Sequence, residues 1–239
     1  MAMERDLSLA DRKVDTKPSR DVIVFHIDDI DRHFQESLDL IQKQLNCIDD
    51  ISMLDECVAE ELLRAQIVAL DSAFDFYLHE VIKLGIVEMY HGTWIVSSTE
   101  KYKNLSFRMK FLEKAVAEQK GSNWLKKWID DEYAKGVYMS YSAFKDVCNL
   151  VGIKPKDISN VFYRRGCKQK TMDQLQNVID KLFRHRNRIA HQSDRKSGNA
   201  VRQTISREAV EEYIHNIGRI VTGMTAQIRY AKLFSSIQV

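Results

Sequence analysis

Long segments of this chain carry an apolar side chain at every third or fourth position and contain few residues that interrupt a helix. Among its 239 residues there are only nine glycines and two prolines, far fewer than average usage. Little of the sequence alternates polar and apolar residues as strands do, whereas spacings of three and four place one apolar stripe along a helix. The sequence therefore predicts an all-α fold in which long antiparallel helices form a bundle.

The apolar spacing predicts where the long helices lie. A first helix covers roughly 28–47, and a second, of more than about 30 residues, runs from Ser52 to Gly85 or to the turn at His91 and Gly92. Each presents an apolar face that has to be buried against another helix. The sequence thus predicts that the first half of the chain is dominated by two long helices.

Two more long helices are predicted in the second half. Thr171 and Gln174 have the spacing of a capping box, so a helix is expected to begin at Thr171. After a polar loop over 192–200, Ser206 is predicted to cap a last helix. These two helices flank the loop on either side.

Weaker patterns define the domain organisation. Residues 1–22 are polar, mixed in charge and without periodicity, so we expect a flexible N-terminal tail. Residues 93–165 contain patterns for short helices, which we interpret as a helical insertion of accessory helices. The chain from 23 to 239 is predicted to be a single helical domain that contains this insertion.

Positive charge is concentrated in one part of the sequence. Residues 164–196 contain ten Lys or Arg and three acidic residues, although the whole chain has a net charge of only +2. A localised basic patch is typical of a protein that binds a phosphate-bearing partner, although a basic helix face in solvent gives the same pattern. With RNA as the partner, the candidates for phosphate contacts are Arg164, Arg165, Lys168, Lys170 and Arg188.

Several classes of protein and site lack their sequence patterns here. The four cysteines form no Cys-x-x-Cys pair, the chain opens without a signal segment, and no apolar run approaches the roughly 18 residues of a membrane span. We therefore expect a cytoplasmic protein that does not enter the membrane. His79 and Glu80 lack the second histidine of a zinc protease motif, and His26 and His33 lack further ligands. No metal or other cofactor is predicted.

One short string in the basic region has the residues that RNA chemistry needs. Residues 184–191 are Arg-His-Arg-Asn-Arg-Ile-Ala-His, which places Arg186, Asn187 and His191 near the end of the helix predicted from Thr171. RNA carries its own nucleophile, the 2′-hydroxyl, so a protein can cleave it by supplying proton transfer and positive charge at the phosphate. Histidine and arginine are suited to these two tasks.

With these residues the chain resembles the HEPN superfamily, whose motif is an arginine, a polar residue and then a histidine within four to six positions, between two long helices. The segments Leu70–Tyr90 and Gln174–Met224 look like the HEPN branch associated with L-PSP-type ribonuclease neighbours in bacterial conflict systems. The resemblance implies a HEPN-like helical bundle with the motif at a groove that two subunits commonly share. Many members are metal-independent endoribonucleases, and others are inactive modules that bind RNA or a partner protein.

The resemblance also implies a role for each motif residue. His191 would move a proton to or from the 2′-hydroxyl or the leaving 5′-oxygen, and Arg186 would hold the non-bridging phosphate oxygens. Asn187, one turn before His191, would orient the imidazole or the phosphate. The expected products carry a 2′,3′-cyclic phosphate and a 5′-hydroxyl.

A biological role follows from the resemblance alone. It would be that of a bacterial toxin or antiviral defence effector, with an antitoxin or another defence-system protein as a partner. Ser193 stands where some HEPN toxins carry a tyrosine that a partner enzyme modifies. Control by that modification is therefore not expected here.

The spacing of the motif leaves its geometry open. In an ideal helix Arg186 and His191 lie about 140° apart around the axis, so either a frayed last turn or a second subunit of a homodimer has to complete the site. Arg184 lies on nearly the same face as His191 and is a supporting candidate. Asp71 and Asp75 on the second helix are candidates to neutralise and orient Arg186, and Asp75 is favoured. A purely structural interpretation also stays open, in which Arg186 only pairs with an internal carboxylate and His191 only ends the helix.

Overall fold

A computed structural model describes the chain from residue 22 to residue 235, apart from residues 95, 97, 120, 134, 166–169 and 197. This described part is α-helical apart from loops, one 3₁₀ turn (Asn160–Phe162) and an isolated bridge between Arg195 and Arg202. The all-α prediction is therefore confirmed. The helices are α1 (Ile27–Ser52), α2 (Glu56–His91), α3 (Glu100–Lys103), α4 (Met109–Glu118), α5 (Asn123–Tyr133), α6 (Tyr141–Val151), α7 (Pro155–Ser159), α8 (Thr171–Gln192) and α9 (Arg207–Ser235).

The two long N-terminal helices begin and end close to the predicted positions. At the start of α2 the carboxylate of Asp55 accepts hydrogen bonds from the backbone N–H groups of Cys57 and Val58, which have no partner within the helix. At its end Gly92 has a left-handed backbone with φ of 73°, a conformation that glycine adopts without steric cost. The connection between α1 and α2 is short, so the two helices are antiparallel neighbours.

The start of α8 differs from the prediction. The N-cap residue is Lys170, which makes no side-chain cap hydrogen bond, and the hydroxyl of Thr171 pairs instead with the hydroxyl of Ser159 at 3.0 Å. Thr171 is therefore not the capping residue, because a contact with the end of α7 engages its hydroxyl. At the start of α9 the prediction is confirmed, since the Ser206 hydroxyl accepts a backbone N–H of the first turn at 3.3 Å.

Helix α2 forms the centre of the hydrophobic core. Its residues Ile67, Phe74 and Val81 are fully buried, and it packs against α1, α5, α6, α8 and α9. Although much of α2 is buried, no helix in the described part of the chain combines the length and apolar composition that crossing a membrane requires. Polar side chains buried on α2, among them Arg64 and Asp71, need partners from neighbouring elements.

The helices between residues 93 and 165 share this core. Helix α6 packs against α2 and α8, and α7 packs against α8 and α9. The close approach of α6 depends on Gly85 of α2, where a Cβ atom would lie 2.7 Å from Cγ1 of Val151. The division of the chain into a tail, one domain and an insertion stays a prediction, and residues 1–21 lie outside the described residues.

Candidate functional site

Helix α8 carries the motif and packs against α2 and α9. The inner face of α8 is fully buried at Leu175, Ile179 and Leu182. Arg186 follows one turn later on this face, and 32% of its side chain is exposed. Asn187 is half-buried and His191 is exposed. None of the three motif side chains is therefore sequestered from a substrate.

A carboxylate on α2 orients the guanidinium of Arg186. The Nε atom of Arg186 lies 3.2 Å from Oδ2 of Asp71, whose side chain is only 5% exposed. The Nη1 atom of Arg186 donates to Oδ1 of Asn187 at 3.0 Å. The contact with Asp71 is an ion pair without a hydrogen bond, because no described residue accepts the Nε hydrogen. Arg186 is thus held by charge on one side and by a hydrogen bond on the other.

This contact corrects the choice between the two acids of α2. Asp75 is the partner of Arg186 that the sequence favours, but Oδ1 of Asp75 accepts the backbone N–H of Tyr138 at 3.1 Å. Its Oδ2 lies 3.3 Å from Nε2 of His79. The segment after α5 therefore engages Asp75, and Asp71 is the acid that pairs with Arg186.

Asp71 and Arg186 line a cavity of about 370 Å³. Its other walls come from α2, from α5 and from the segment that follows α5. They are formed by Ser72, Asp75, Phe76, His79, Glu80, Lys83, Asp130, Val137 and Met139. Lys83 is paired with Glu80 at 2.7 Å, and acidic side chains outnumber basic ones. The cavity by itself thus disfavours an anionic ligand.

His191 lies in the last turn of α8, which is α-helical through Gln192. The helix does not fray before the histidine, so Arg186 and His191 point about 140° apart around the axis. A frayed last turn is therefore not the way in which the two side chains meet. One copy of α8 directs Arg186 toward α2 and His191 toward solvent.

Arg184 shares the exposed face of α8 with His191. Seven residues correspond to about 20° around the axis and about 10 Å along it. The Nε atom of Arg184 donates to the backbone oxygen of Asp180 at 3.0 Å. Its exposed position is compatible with a supporting role, which stays a prediction.

A buried carboxylate just after α8 is the feature of this region that the sequence did not reveal. Asp194 is fully buried. Its Oδ1 accepts a hydrogen bond from Nε of Arg188 at 2.7 Å, and its Oδ2 accepts one from Nε of Arg64 at 3.1 Å. Nε2 of His185 lies 3.6 Å from the same Oδ2. Asp194 thereby joins α2, α8 and the following loop close to His191, although in the sequence it is only an acid in a polar loop.

The basic residues predicted to contact RNA differ in their surroundings. Arg164, Arg165 and Lys170 are exposed. Arg188 is engaged by the buried carboxylate of Asp194, so it is committed to an ion pair inside the protein rather than open to phosphate. Lys168 lies outside the described residues.

The histidines and acids considered as metal ligands have other partners. Nε2 of His79 contacts the backbone oxygen of Gly136 at 3.1 Å, and the ring of His26 accepts a backbone N–H at the start of α1. Among the residues that the structure describes, no group of His, Cys, Asp and Glu side chains could hold a metal ion. The described side chains of these two histidines thus have structural roles.

The charge state of Asp71 is sensitive to pH. Burial raises the pKa of Asp71 to about 6, although Arg186 acts in the opposite direction and Asp75 adds to the rise. The carboxylate is therefore mostly ionised at neutral pH and becomes protonated as the pH falls through this value. The ion pair with Arg186 weakens over the same range.

We expect Asp71→Asn to gain stability relative to the wild type as the pH rises. Because the folded pKa of Asp71 is raised from 3.8 to about 6, its contribution to wild-type stability is greatest below the unfolded pKa and declines as the pH rises through 6. The decline amounts to at most about 3 kcal/mol. Asparagine does not ionise, so the variant does not show this decline. Relative to the wild type, its free energy of unfolding is therefore expected to rise by up to about 3 kcal/mol over this pH range.

Urea denaturation between about pH 4 and pH 8 measures this difference. Asp39→Asn replaces an exposed carboxylate on α1 and is expected to follow the wild type across the range. Parallel pH profiles for Asp71→Asn and the wild type would contradict the pKa assigned to Asp71.

Comparison with known proteins places most of the chain in one family. The family model described as RiboL-PSP-HEPN matches residues 32–229, which include the motif and nearly all of the helical core. No curated protein and no solved structure matches the chain.

Proposed function

Because the chain belongs to the RiboL-PSP-HEPN family, we propose that it is a metal-independent endoribonuclease that cleaves RNA through attack of the 2′-hydroxyl. Membership of this family is consistent with ribonuclease activity and an RNA-related role. The observation that carries the finer proposal is that Arg186, Asn187 and His191 are accessible on one helix, with Arg186 oriented by a buried carboxylate.

His191 acts as the proton-transfer group in this proposal. The imidazole takes the proton of the 2′-hydroxyl while the 2′-oxygen bonds to phosphorus. The bond between phosphorus and the 5′-oxygen breaks as the protonated imidazole gives this proton to the 5′-oxygen. Imidazole is suited to both transfers because histidine as a residue type titrates near neutral pH. The RNA is left with a 2′,3′-cyclic phosphate end and a 5′-hydroxyl end.

Arg186 supplies positive charge to the phosphate. A planar guanidinium can bind two non-bridging oxygens through parallel N–H groups, and negative charge accumulates on these oxygens during the attack. The Nε atom of Arg186 is buried beside Asp71, so in this proposal the two Nη groups of the guanidinium bind the phosphate. Asn187, which accepts a hydrogen bond from Nη1 of Arg186, keeps the guanidinium in position.

A homodimer completes the site in this proposal. Since one straight helix separates Arg186 from His191 by about 140°, the arginine of one protomer and the histidine of its partner serve the same phosphate across a two-fold axis. Arg184 lies on the same face as His191 and supports it. The exposed Arg164, Arg165 and Lys170, together with Lys168, hold the RNA backbone, whereas the buried ion pair of Arg188 assigns that residue to structure.

The proposal is tested with RNA that lacks one nucleophile. An RNA oligonucleotide and the same oligonucleotide with a 2′-deoxy nucleotide at the cleaved position are incubated with the purified full-length chain and EDTA. The RNA is expected to be cut to cyclic-phosphate ends, and the deoxy substitution to abolish cutting at that position because the nucleophile is missing. Cutting that persists in the deoxy oligonucleotide, or that requires added magnesium, would contradict the mechanism.

A second candidate function is a non-catalytic HEPN module that binds RNA or a partner protein. It is favoured by the ion pair that already engages Arg186 and by the acidic lining of the neighbouring cavity. Under the same conditions this module would bind the oligonucleotide, or a second protein, and leave the RNA intact.

The cellular role that we propose is that of a bacterial toxin or antiviral defence effector in the cytoplasm, restrained by a partner protein. Support for the toxin or defence role comes from family membership, and support for the cytoplasm comes from Cys47, Cys57 and Cys148, which are free thiols. Controlled expression in a bacterial host is expected to arrest growth in the wild type and not in a His191→Ala variant. Equal growth of both strains would argue against toxicity.

A further inference from the structure

A second cavity lies between the 3₁₀ turn, α8 and α9, beside the N-terminal half of α8. Its volume is about 230 Å³. Side chains with different chemistry surround it: an aromatic ring, two guanidinium groups, a carboxylate and several amides. Six of the lining residues are Phe162, Arg164, Asn177, Glu212, Asn216 and Arg219.

Three polar side chains that line this cavity are open to a ligand. Among the residues that the structure describes, none forms a hydrogen bond or an ion pair with the side chains of Asn177, Glu212 or Asn216, and Asn177 and Glu212 are exposed. The guanidinium of Arg219 lies over the ring of Phe162, 5.1 Å from its centroid. A planar cation stacked on an aromatic ring forms a surface on which a flat ligand can stack.

From this arrangement we infer that the cavity binds an unpaired guanine base of an RNA strand. A carboxylate accepts hydrogen bonds and cannot donate them. Guanine is the standard base whose Watson–Crick edge presents two adjacent donors, N1–H and the N2 amine. Adenine and cytosine place an acceptor beside their amine, and uracil flanks its single N–H with two carbonyl oxygens. The carboxylate of Glu212 therefore selects guanine.

The remaining groups fit the rest of such a nucleotide. The side-chain amides of Asn177 and Asn216 can donate to the O6 atom of guanine, and the exposed Arg164 can pair with the adjoining phosphate. The cavity is smaller than the roughly 300–1,000 Å³ of pockets for drug-sized ligands. Its size is thus suited to one base and not to a folded RNA element.

The position of the cavity connects it with the motif. Asn177 and His191 lie on α8 about 21 Å apart along the axis and about 40° apart around it. An extended strand held at the cavity can therefore run along the exposed face of α8, past Arg184, to the proposed site of cleavage. This inference rests on the proposed function for the cleavage that follows, and on the cavity alone for the binding of guanine.

Binding of short RNA by the full-length His191→Ala variant tests the inference without cleavage of the probe. The probes are fluorescent uridine oligonucleotides that contain one central guanosine, adenosine or inosine, measured by fluorescence anisotropy. The guanosine probe is expected to bind roughly 5- to 150-fold more tightly than the adenosine probe, the range for a two-bond contact to a base. Inosine lacks the N2 amine and is expected to lie between them.

Substitution of the carboxylate is the second arm. Glu212→Gln, made in the His191→Ala background, is expected to remove the preference for guanosine while the affinity for the adenosine probe changes little. Glu113→Gln is the matched control, because Glu113 is an exposed glutamate on α4, away from this cavity. Asn216→Ala provides a variant at a second position and is expected to reduce the preference for the guanosine probe. Circular dichroism checks that each variant is folded.

The outcomes separate this inference from the proposed function. Equal binding of all three probes, or a guanosine preference that survives Glu212→Gln, overturns the guanine site even if the wild type cuts RNA. A preference that depends on Glu212 supports the site even if the wild type cuts nothing, in which case the proposed catalysis fails and the binding site stands.

Discussion

Replacement of His191 by alanine is expected to slow RNA cleavage by roughly 100- to 10,000-fold, the usual contribution of a general acid or base. The methyl group of alanine cannot move a proton, whereas the positive surface formed by other residues is unchanged. Single-turnover rates with protein in excess over labelled RNA, in the presence of EDTA, separate the chemical step from binding. The dissociation constant for RNA is therefore expected to change much less than the rate.

His91 provides a matched control for this prediction. It is also an exposed histidine in the last turn of a long helix, but it lies about 30 Å from Asp71 along the axis of α2. His91→Ala is expected to cut RNA at the wild-type rate. An unchanged rate in His191→Ala, or the same loss in both variants, would remove His191 from the mechanism.

Mixing two inactive variants tests whether two subunits share the site. If Arg186 of one protomer acts with His191 of its partner, a heterodimer of Arg186→Ala and His191→Ala contains one intact site. An equimolar mixture that exchanges subunits is then expected to recover about a quarter of wild-type activity, since half of the dimers are mixed and each has one of two sites. If Arg186 and His191 instead act within one protomer, the mixture recovers no activity.

Much of the fold is predictable because apolar spacing is a local property of the sequence. The predicted helix at 28–47 corresponds to α1, and the predicted turn at Gly92 ends α2. A local signal failed where a distant group competed for the same atom, since Thr171 bonds to Ser159 instead of capping α8. Helix periodicity therefore predicts the elements better than it predicts how their ends are bonded.

The site is predictable only where its residues are close in sequence. The motif is one short string, but the spacing on α2 does not distinguish Asp71 from Asp75, one turn apart, as its acidic partner. That choice depends on the path that brings the backbone of Tyr138 to Asp75, and no spacing encodes this path. Asp194 contacts Arg64 across 130 positions of sequence, so no local pattern predicts its role.

Asp194→Ala is expected to lower the free energy of unfolding by roughly 3 kcal/mol. This is the lower end of the range for breaking a buried ion pair, because Arg64 keeps its contact with Glu60 at 3.0 Å while Arg188 loses its buried acceptor. Alanine also fits poorly at this position, where φ is 57°. Asp194→Asn tolerates that backbone and keeps one acceptor oxygen, so it is expected to lose less than Asp194→Ala in urea denaturation at pH 7.

An exposed ion pair provides the control for Asp194→Ala. Asp131 is 46% exposed and pairs with Lys110 at 3.0 Å, and Asp131→Ala is expected to lower the free energy of unfolding by less than about 1 kcal/mol.

Burial alone would raise the pKa of Asp194, but hydrogen bonds from Arg188 and Arg64 hold it below the usual value. Its stabilisation is thus complete above the unfolded pKa of about 4 and is lost as the pH falls through the folded pKa. The difference in free energy of unfolding between the wild type and Asp194→Ala should therefore become smaller in strong acid. If Asp194→Ala loses no more stability at pH 7 than Asp131→Ala, Asp194 does not anchor the end of α8.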